Sequence, residues 1–270
     1  MAINFDKVPS YIKREINPPR KVLKSGSSGF QVKQVQEWLQ FHQCRTAIDG
    51  KFGPATAECV RDFQKTTGLT ITGTVNRMTW ESLVGPMNAA LEQPSRALSG
   101  SVDSTIKRVA QQHVRQHPQE IGGSNCGPWV RLYCGGHDGT AWPWCAGFVS
   151  MVMSQACFYR GETTPIPGSV SCDSLAAQAK DKGLFVSGAS VKSGKFIWTD
   201  FGSSCIFLRR RTKTDWTHTG FALGSTGTKK NLVFDTIEGN TNDDGVREGY
   251  EACERKRSLS TTHYDFIRLE

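Results

Sequence analysis

The sequence predicts a small all-helical unit followed by a larger unit of the α+β class. Three observations support this prediction. A turn-then-helix pattern occurs twice within residues 22–86. An uncharged, mostly apolar segment at 146–156 is typical of a helix buried on all sides, and short apolar runs typical of strands follow from residue 196 onward. Helices packed on an antiparallel sheet are the usual architecture for the second pattern.

Composition divides the chain into four segments. Residues 1–21 are polar, basic and proline-containing, which predicts a flexible basic arm. The helical unit occupies 22–86, an alanine-, serine- and proline-rich stretch at 87–102 predicts a linker, and the α+β unit occupies 103–270. The predicted elements of that last unit are a helix over 104–116 with Asp103 as its N-cap, a helix that starts near Cys145, a helix over 174–183, and strands at 196–198, 205–208, 217–223, 232–240 and 264–267.

The overall composition excludes several classes of protein. Of the 270 residues, 37% are hydrophobic and 21% are charged, which is typical of a globular protein and not of a disordered chain. No apolar run approaches the ~18 residues of a membrane-spanning helix, so we expect no membrane insertion. The net charge of +8 favours anionic partners such as cell-envelope polymers. The basic groups, Arg255–Arg257 among them, match no nucleic-acid-binding motif, and we expect them to form solvated faces.

The helical unit contains an internal repeat. The segment Ile48–Thr56 recurs as Ile71–Thr79, an offset of 23 residues (71 minus 48), and each copy places a glycine in a tight turn before a helix. We expect four aromatic side chains of this unit to form its core rather than a platform for glycan, namely Trp38, Phe52, Phe63 and Trp80.

Further motifs of this unit carry a family pattern, and they are Ser28–Val32, Asp49–Gly53, Phe63–Gln64, Gly68–Leu69 and Thr79–Leu83. Together they resemble the three-helix peptidoglycan-binding domain found on many cell-wall hydrolases. The resemblance implies that peptidoglycan is a partner, and that Asp49, Gly50 and Arg77 lie in turns that could face glycan or peptide. The chain departs from the family at Thr72, which replaces the second aspartate, and at Asn76, where glycine is frequent.

Cys145 is the candidate nucleophile of the α+β unit. It stands at the first turn of the predicted buried helix, directly after Trp142-Pro143-Trp144. The helix dipole and the unpaired N–H groups of the first turn lower the pKa of a thiol at that place and favour the thiolate. Pro143 keeps the helix from extending backwards. A buried structural cysteine is the competing interpretation, since free cysteine is among the most buried residue types.

A cysteine nucleophile needs a base, and the base needs a third group that orients its ring. His218 begins one strand-like run, and the next run ends in Glu238-Gly239-Asn240. Neighbouring antiparallel strands would bring His218 close to Glu238 and Asn240. Alone, His218 also fits a structural histidine, but the order cysteine, histidine, acid or amide favours a catalytic set.

Four blocks carry a second resemblance, namely Asn125–Gly127, Trp144–Val149, His218–Gly220 and Glu238–Asn240. They resemble the CHAP family, the cysteine- and histidine-dependent amidohydrolases/peptidases, over roughly residues 103–270. The resemblance implies a papain-like α+β fold in which Cys145 attacks, His218 acts as base, Glu238 orients the imidazole and Asn240 is a supporting or substitute partner. Trp144 is the expected substrate contact beside the nucleophile. The long insertion that includes residues 161–174 departs from the family.

These resemblances imply a peptidoglycan hydrolase, an amidase or endopeptidase that acts on the stem peptide through Cys145, His218 and Glu238. This chemistry needs neither a metal nor a cofactor. Two alternatives remain open. One is a non-catalytic wall-binding or phage tail structural protein. The other is a cysteine- and histidine-dependent deamidase or acyltransferase toxin that acts on protein.

Cysteine content and the N-terminal sequence bear on where the protein works. Nine cysteines allow one free thiol and four pairs, but we expect only one or two pairs because no signal peptide is visible, which predicts folding in a reducing cytosol. Action on the wall then requires delivery to the periplasm, either as a phage endolysin or as an antibacterial effector injected by a secretion apparatus. The effector route would require a periplasmic immunity protein that plugs the Cys145 cleft.

Overall fold

The computed structural model describes residues 8–93, 100–226, 232–242, 249–260 and 263–270. In chain order the helices are α1 (Ser10–Ile16), α2 (Phe30–Phe41), α3 (Pro54–Thr66), α4 (Arg77–Leu83), α5 (Gly85–Ala90), α6 (Val102–Val114), α7 (Pro128–Tyr133), α8 (Cys145–Arg160), α9 (Cys172–Asp181) and α10 (Gly188–Ser193). The strands are β1 (Phe185–Val186), β2 (Cys205–Thr212), β3 (Asp215–Thr226), β4 (Val233–Thr241), β5 (Glu251–Ser258) and β6 (Tyr264–Ile267).

The helical unit is built from α2, α3 and α4 around a shared apolar core. The four aromatic residues predicted for this core are all buried, with exposures of 0% for Trp38, 2% for Phe52, 6% for Phe63 and 1% for Trp80. A disulfide joins Cys44, just after α2, to Cys59 in α3, and the other seven cysteines are thiols. One pair lies within the predicted range of one or two.

Each copy of the repeat is a turn held by a buried glutamine. Gln36 donates to Asp49 Oδ1 (2.9 Å) and accepts from the Gly50 N–H (2.8 Å) in the first turn. Gln64 donates to Thr72 Oγ1 (3.1 Å) and accepts from the Gly73 N–H (3.0 Å) in the second. Thr72 therefore makes with its hydroxyl the contact that Asp49 makes with its carboxylate, which explains how the second turn forms without an aspartate.

The arm that precedes the helical unit is structured from Ser10 onward, contrary to the prediction of a flexible segment. Helix α1 buries Ile12 and Ile16, with exposures of 3% and 4%, and the Ile16 carbonyl accepts a hydrogen bond from Trp80 Nε1 (2.9 Å). The apolar spacing of these two isoleucines accounts for the helix, since it places both on one face. Residues 1–7 of the predicted arm lie outside the described residues.

A buried ion cluster joins the helical unit to the α+β unit. Arg131 of α7 is 3% exposed and contacts Glu15 of α1 (Nε–Oε1 2.8 Å) and Glu37 of α2 (Nη2–Oε2 2.6 Å). Gln112 of α6 adds hydrogen bonds to carbonyl oxygens at the end of α5, including that of Ala89 (2.7 Å). The predicted boundary between residues 86 and 87 falls within α5, whose Met87 is fully buried.

The α+β unit contains one six-stranded antiparallel sheet of order β1-β6-β2-β3-β4-β5. Helix α8 packs against β3 and β4, where Phe148 meets Phe221 with ring centroids 6.2 Å apart. The predicted burial of α8 is confirmed for most of its length, although Phe158 is 44% exposed. The site described below lies where this helix begins.

Two local predictions for this unit need correction. Asp103 lies inside α6, whose N-cap is Ser101, and its buried carboxylate accepts a hydrogen bond from the Ser104 N–H (2.7 Å). Residues 196–198 were predicted to form a strand. Instead they lead into a short 3₁₀ helix at Trp198–Phe201, which packs on the aromatic core under the sheet. A buried strand and this 3₁₀ helix both need apolar side chains, so the apolar pattern alone does not distinguish a strand from a helix.

Over the described ranges, no helix combines the length and the apolar character that a bilayer crossing requires.

Candidate active site

Cys145 is the first residue of α8 and is 6% exposed. Pro143 precedes it in the chain, and the Trp144 N–H, which would otherwise be an unpaired donor at the helix start, is bonded to Asn240 Oδ1 (2.9 Å). A Cβ atom at Gly147 would lie 2.5 Å from the Tyr133 carbonyl oxygen, so only glycine lets α8 approach α7 this closely. These contacts fix the thiol at the N-terminus of the helix.

His218 and Glu238 meet across two neighbouring strands. As the sequence predicts, β3 and β4 are antiparallel neighbours, and His218 Nε2 lies 2.8 Å from Glu238 Oε2. Gly220 makes this contact possible because a Cβ atom there would lie 2.8 Å from Glu238 Cγ. With Nε2 engaged by the carboxylate, Nδ1 is the ring nitrogen left for Cys145.

Glu238 has two further partners that hold its carboxylate in place. Thr236 Oγ1 donates to Glu238 Oε1 (2.6 Å), and Arg257 Nε donates to the same oxygen (2.7 Å) while its Nη2 bonds Oε2. Arg257 was expected on a solvated face, but its side chain is 16% exposed and pairs with a fully buried carboxylate. The strand β5 carries the arginine inward to the site.

The electrostatics of the site favour a thiolate beside an imidazolium. The hydrogen bond with Cys172 does most to lower the pKa of Cys145, and His218 and the Thr219 N–H add to this effect, so the pKa lies well below 9.0 despite burial. Burial lowers the pKa of His218, but its hydrogen bonds with Cys145 and Glu238 raise it to about 9. Burial opposes ionisation of Glu238, yet Arg257 and His218 outweigh it and lower its pKa.

Asn240 and Trp144 serve the structure around the nucleophile. Asn240 has a backbone φ of 53° and uses both polar atoms elsewhere, since its Oδ1 accepts from Trp144 and its Nδ2 donates to the Gly249 carbonyl (2.6 Å). The predicted substrate contact for Trp144 does not fit its position, because the indole is fully buried and stacks on Tyr133 at 5.4 Å.

Of the residues predicted for wall binding, Asp49 and Gly50 lie in the first clamped turn, whereas Arg77 is the first residue of α4. Asp49 and Arg77 are exposed, and the Arg77 side chain is 79% accessible and pairs with Glu81 (2.7 Å). Gly50 has a φ of 69° and donates its N–H to Gln36 Oε1. Asp49 and Arg77 are thus both exposed, but the Asp49 carboxylate accepts from Gln36 and from the Lys51 N–H and so shapes its turn together with Gly50.

Two residues of the site, Cys172 and Arg257, were not predicted to belong to it. Cys172 begins α9, and its Sγ lies 3.9 Å from the Cys145 sulfur. It sits in the long insertion that departs from the family pattern, so no motif pointed to it. For Arg257, the relevant pattern is the period-two alternation of a strand, which places Arg257 on the half-buried face of β5 and its neighbour Lys256 on the exposed face.

Comparison with known proteins identifies the helical unit. The family described as "Putative peptidoglycan binding domain" matches residues 28–83. No curated protein matches the chain.

Solved structures include three that resemble parts of the chain. The SleB N-terminal domain is 30% identical, with a match that covers 25% of this chain and 94% of that domain and a TM-score of 0.25. A fused Zn-dependent amidase/peptidase/peptidoglycan-binding domain-containing protein from Clostridium acetobutylicum is 30% identical, covering 33% of this chain and 40% of its own, with a TM-score of 0.24. A Burkholderia AP3 phage endolysin is 27% identical, covering 39% and 40%, with a TM-score of 0.23.

This chain thus spans less than half of the two longer proteins. The family match coincides with the unit built from α2, α3 and α4, including both clamped turns. Residues 28–83 are therefore a peptidoglycan-binding domain, carried on the same chain as a mixed helix and antiparallel sheet unit that holds Cys145, His218 and Glu238.

Proposed function

We propose that this chain is a cysteine-dependent peptidoglycan hydrolase, an amidase or endopeptidase of the stem peptide, with a papain-like catalytic unit of the CHAP type. One observation carries the proposal. A thiol at a helix N-terminus has its pKa lowered in part by a histidine that a buried glutamate orients, in a protein that also has a peptidoglycan-binding domain. This arrangement supports the assignment of Cys145 as nucleophile, His218 as base and Glu238 as orienting group, the set that acyl transfer requires.

The mechanism follows from the charges at the site. The Cys145 thiolate attacks the carbonyl carbon of the scissile amide, and the backbone N–H of Cys145 at the helix terminus stabilises the oxyanion. The His218 imidazolium gives its proton to the leaving amine nitrogen as the C–N bond breaks, which leaves a thioester on Cys145. Neutral His218 then takes a proton from water, and the resulting hydroxide releases the peptide carboxylate and restores the thiolate.

The binding domain gives this activity its location. A domain that holds the insoluble polymer raises the concentration of cleavable amides near Cys145. The site of action is then the cell wall, reached as a phage endolysin or as an injected antibacterial effector. For an effector, we expect a periplasmic immunity protein that covers the Cys145 cleft in the producing cell.

The proposal is tested with purified sacculi that carry a covalent dye. Wild-type protein should release soluble dye, and Cys145→Ala should lower the rate at least ~1,000-fold, as removal of a nucleophile does, while it still sediments with the sacculi. Cys157→Ala, a buried cysteine at the far end of the same helix, is the matched control and should retain activity. Undiminished release by Cys145→Ala would refute the proposed nucleophile.

A further inference from the structure

The long insertion places a second thiol against the proposed nucleophile. Cys172 Sγ lies 3.9 Å from Cys145 Sγ, and the two side chains are 8% and 6% exposed. Each cysteine is the first residue of its helix, so the N-termini of α8 and α9 converge on the sulfur pair. Buried sulfurs at this separation are within hydrogen-bonding range, with the protonated thiol as donor.

Cys172 is held in this position from two sides. The loop before it is anchored to α8, where Ser150 Oγ donates to the Ser169 carbonyl (2.8 Å) and accepts from the Ser169 N–H (2.9 Å). The residue after it is anchored to β3, since Asp173 Oδ1 accepts from the Trp216 N–H (2.7 Å), two positions before His218. The second thiol is therefore tied to the same two elements that carry Cys145 and His218.

We propose that Cys172 is a further catalytic residue, whose S–H group donates a hydrogen bond to the Cys145 thiolate and holds the nucleophile in position for attack. This inference deepens the proposed function and rests on it. The two thiols divide the roles of donor and acceptor, because contact with Cys145 and burial both raise the pKa of Cys172 while that of Cys145 is lowered. Cys172 thus stays protonated where Cys145 is ionised.

In the proposed reaction, the hydrogen bond from Cys172 acts on the Cys145 thiolate before the C–S bond forms. Before attack, the charge on Cys145 Sγ is shared by donors from three directions, which are Cys172, His218 and the Thr219 N–H. As the C–S bond forms, that charge moves to the substrate oxygen, and the Cys172 proton is neither gained nor lost. Cys172 therefore stabilises the Cys145 thiolate and orients it for attack, without taking part in proton transfer.

The test measures alkylation of Cys145 by iodoacetamide across pH in reduced protein, with mass spectrometry of the Cys145 peptide. Cys172→Ala removes the donor and should raise the midpoint of Cys145 reactivity by about one pH unit, as expected for one lost hydrogen bond to a charged group. Cys172→Val, which fills the space without a donor, should behave like the alanine variant. Cys172→Ser keeps a donor and should stay close to wild type.

Cys157→Ala controls for loss of any buried cysteine and should not move the midpoint, and thermal unfolding of each variant checks the fold. An unchanged midpoint in Cys172→Ala and Cys172→Val would overturn the proposal, as would an equal shift in Cys172→Ser. Alkylation needs no peptidoglycan. The measurement therefore decides the role of Cys172 even if the chain proves not to cleave the wall.

Discussion

At the residue scale, the site is an ion pair enclosed by hydrogen bonds. Cys145 and His218 are both less than 10% exposed, so their mutual attraction is little screened by water. Cys145 and then Glu238 keep the imidazole of His218 protonated against the effect of burial, and Arg257 does most to keep Glu238 ionised. The series of interactions from the Cys145 sulfur through His218 and Glu238 to the Arg257 guanidinium thus sets the protonation state of each of these groups.

The pH dependence of kcat/KM should be bell-shaped. Activity needs the Cys145 thiolate together with the His218 imidazolium. The acid limb appears where the thiolate becomes protonated, well below pH 9.0, and the alkaline limb appears near pH 9, where His218 loses its proton. The measurement is the initial rate on a soluble muropeptide between pH 4 and 11, at constant ionic strength, with the two limbs treated as properties of the pair.

Glu238→Gln provides the control for this profile. It removes the negative charge beside His218 while it retains a hydrogen-bonding side chain, so the imidazolium is less stable and the alkaline limb should move to lower pH. An alkaline limb that stays in place in Glu238→Gln would mean that another group sets it. The variant should also show lower activity at its optimum, because both polar atoms of Asn240 are already engaged and cannot replace the carboxylate.

At the element scale, glycines determine how closely the parts of the site approach. A Cβ atom at Gly239 would lie 2.7 Å from Phe148 Cβ, and one at Gly220 would lie 2.7 Å from the Ile237 carbonyl oxygen. Neither glycine has a positive φ, so tight packing and not backbone conformation requires them. The motifs around His218 and Glu238 are therefore partly packing motifs, in which the missing side chain makes room for its neighbour.

The buried ion cluster of Arg131 is the second feature at this scale. Glu15 and Glu37 are 0% and 1% exposed and both contact the guanidinium, which also meets Asp138 (Nη1–Oδ2 2.8 Å). A buried ion cluster of this kind adds little net stability compared with a protein in which all its members are replaced by apolar residues. Removal of one member is costly because it leaves buried charge without a partner.

Arg131→Met should therefore lower the free energy of unfolding by about 3–5 kcal/mol, since two carboxylates are left buried and uncompensated. Arg77→Met is the matched control, because the Arg77–Glu81 pair is exposed, and it should change stability by less than about 0.5 kcal/mol. Urea unfolding followed by tryptophan fluorescence measures both. Equal and small effects in the two variants would show that the cluster does not bear on stability.

Local patterns account for the elements that the sequence predicts well. Helix α8 and strands β2, β3, β4 and β6 follow from apolar runs and their flanking turns, and the aromatic core of the helical unit follows from spacing. The contacts of Cys172, Arg131 and Arg257 could not be predicted in this way. Each depends on a partner 19 to 116 residues away, so no local periodicity encodes it.

At the scale of the whole molecule, the peptidoglycan-binding domain is docked on the α+β unit. Helices α1 and α2 supply the carboxylates that Arg131 binds, and the tight turn at Ile48 reaches the loop at Gly122, where a Cβ atom would lie 3.0 Å from Ile48 Cδ1. The turn that carries Asp49 therefore lies next to the loop that contains Glu120. The Glu120 carboxylate in turn accepts a hydrogen bond from Trp144 Nε1. In the proposed hydrolase, a polymer bound at that turn would lie beside the α+β unit.

This docking was not predicted, because the arm and linker have the composition of flexible segments while their buried residues are few. Ile12, Ile16 and Met87 are enough to fix α1 and α5, since each is at most 4% exposed. Composition averages over a segment, whereas two or three well-placed apolar side chains decide whether it packs.

The central claim, that a Cys145 thiolate hydrolyses amide bonds of peptidoglycan, is tested most directly by cleavage of purified sacculi in water enriched in oxygen-18. Mass spectrometry of the soluble fragments should show new amine termini and new carboxylates that each carry one oxygen-18 atom, and Cys145→Ala should yield none. Fragments that arise only by cleavage of glycosidic bonds, or labelled fragments that persist in Cys145→Ala, would contradict the account.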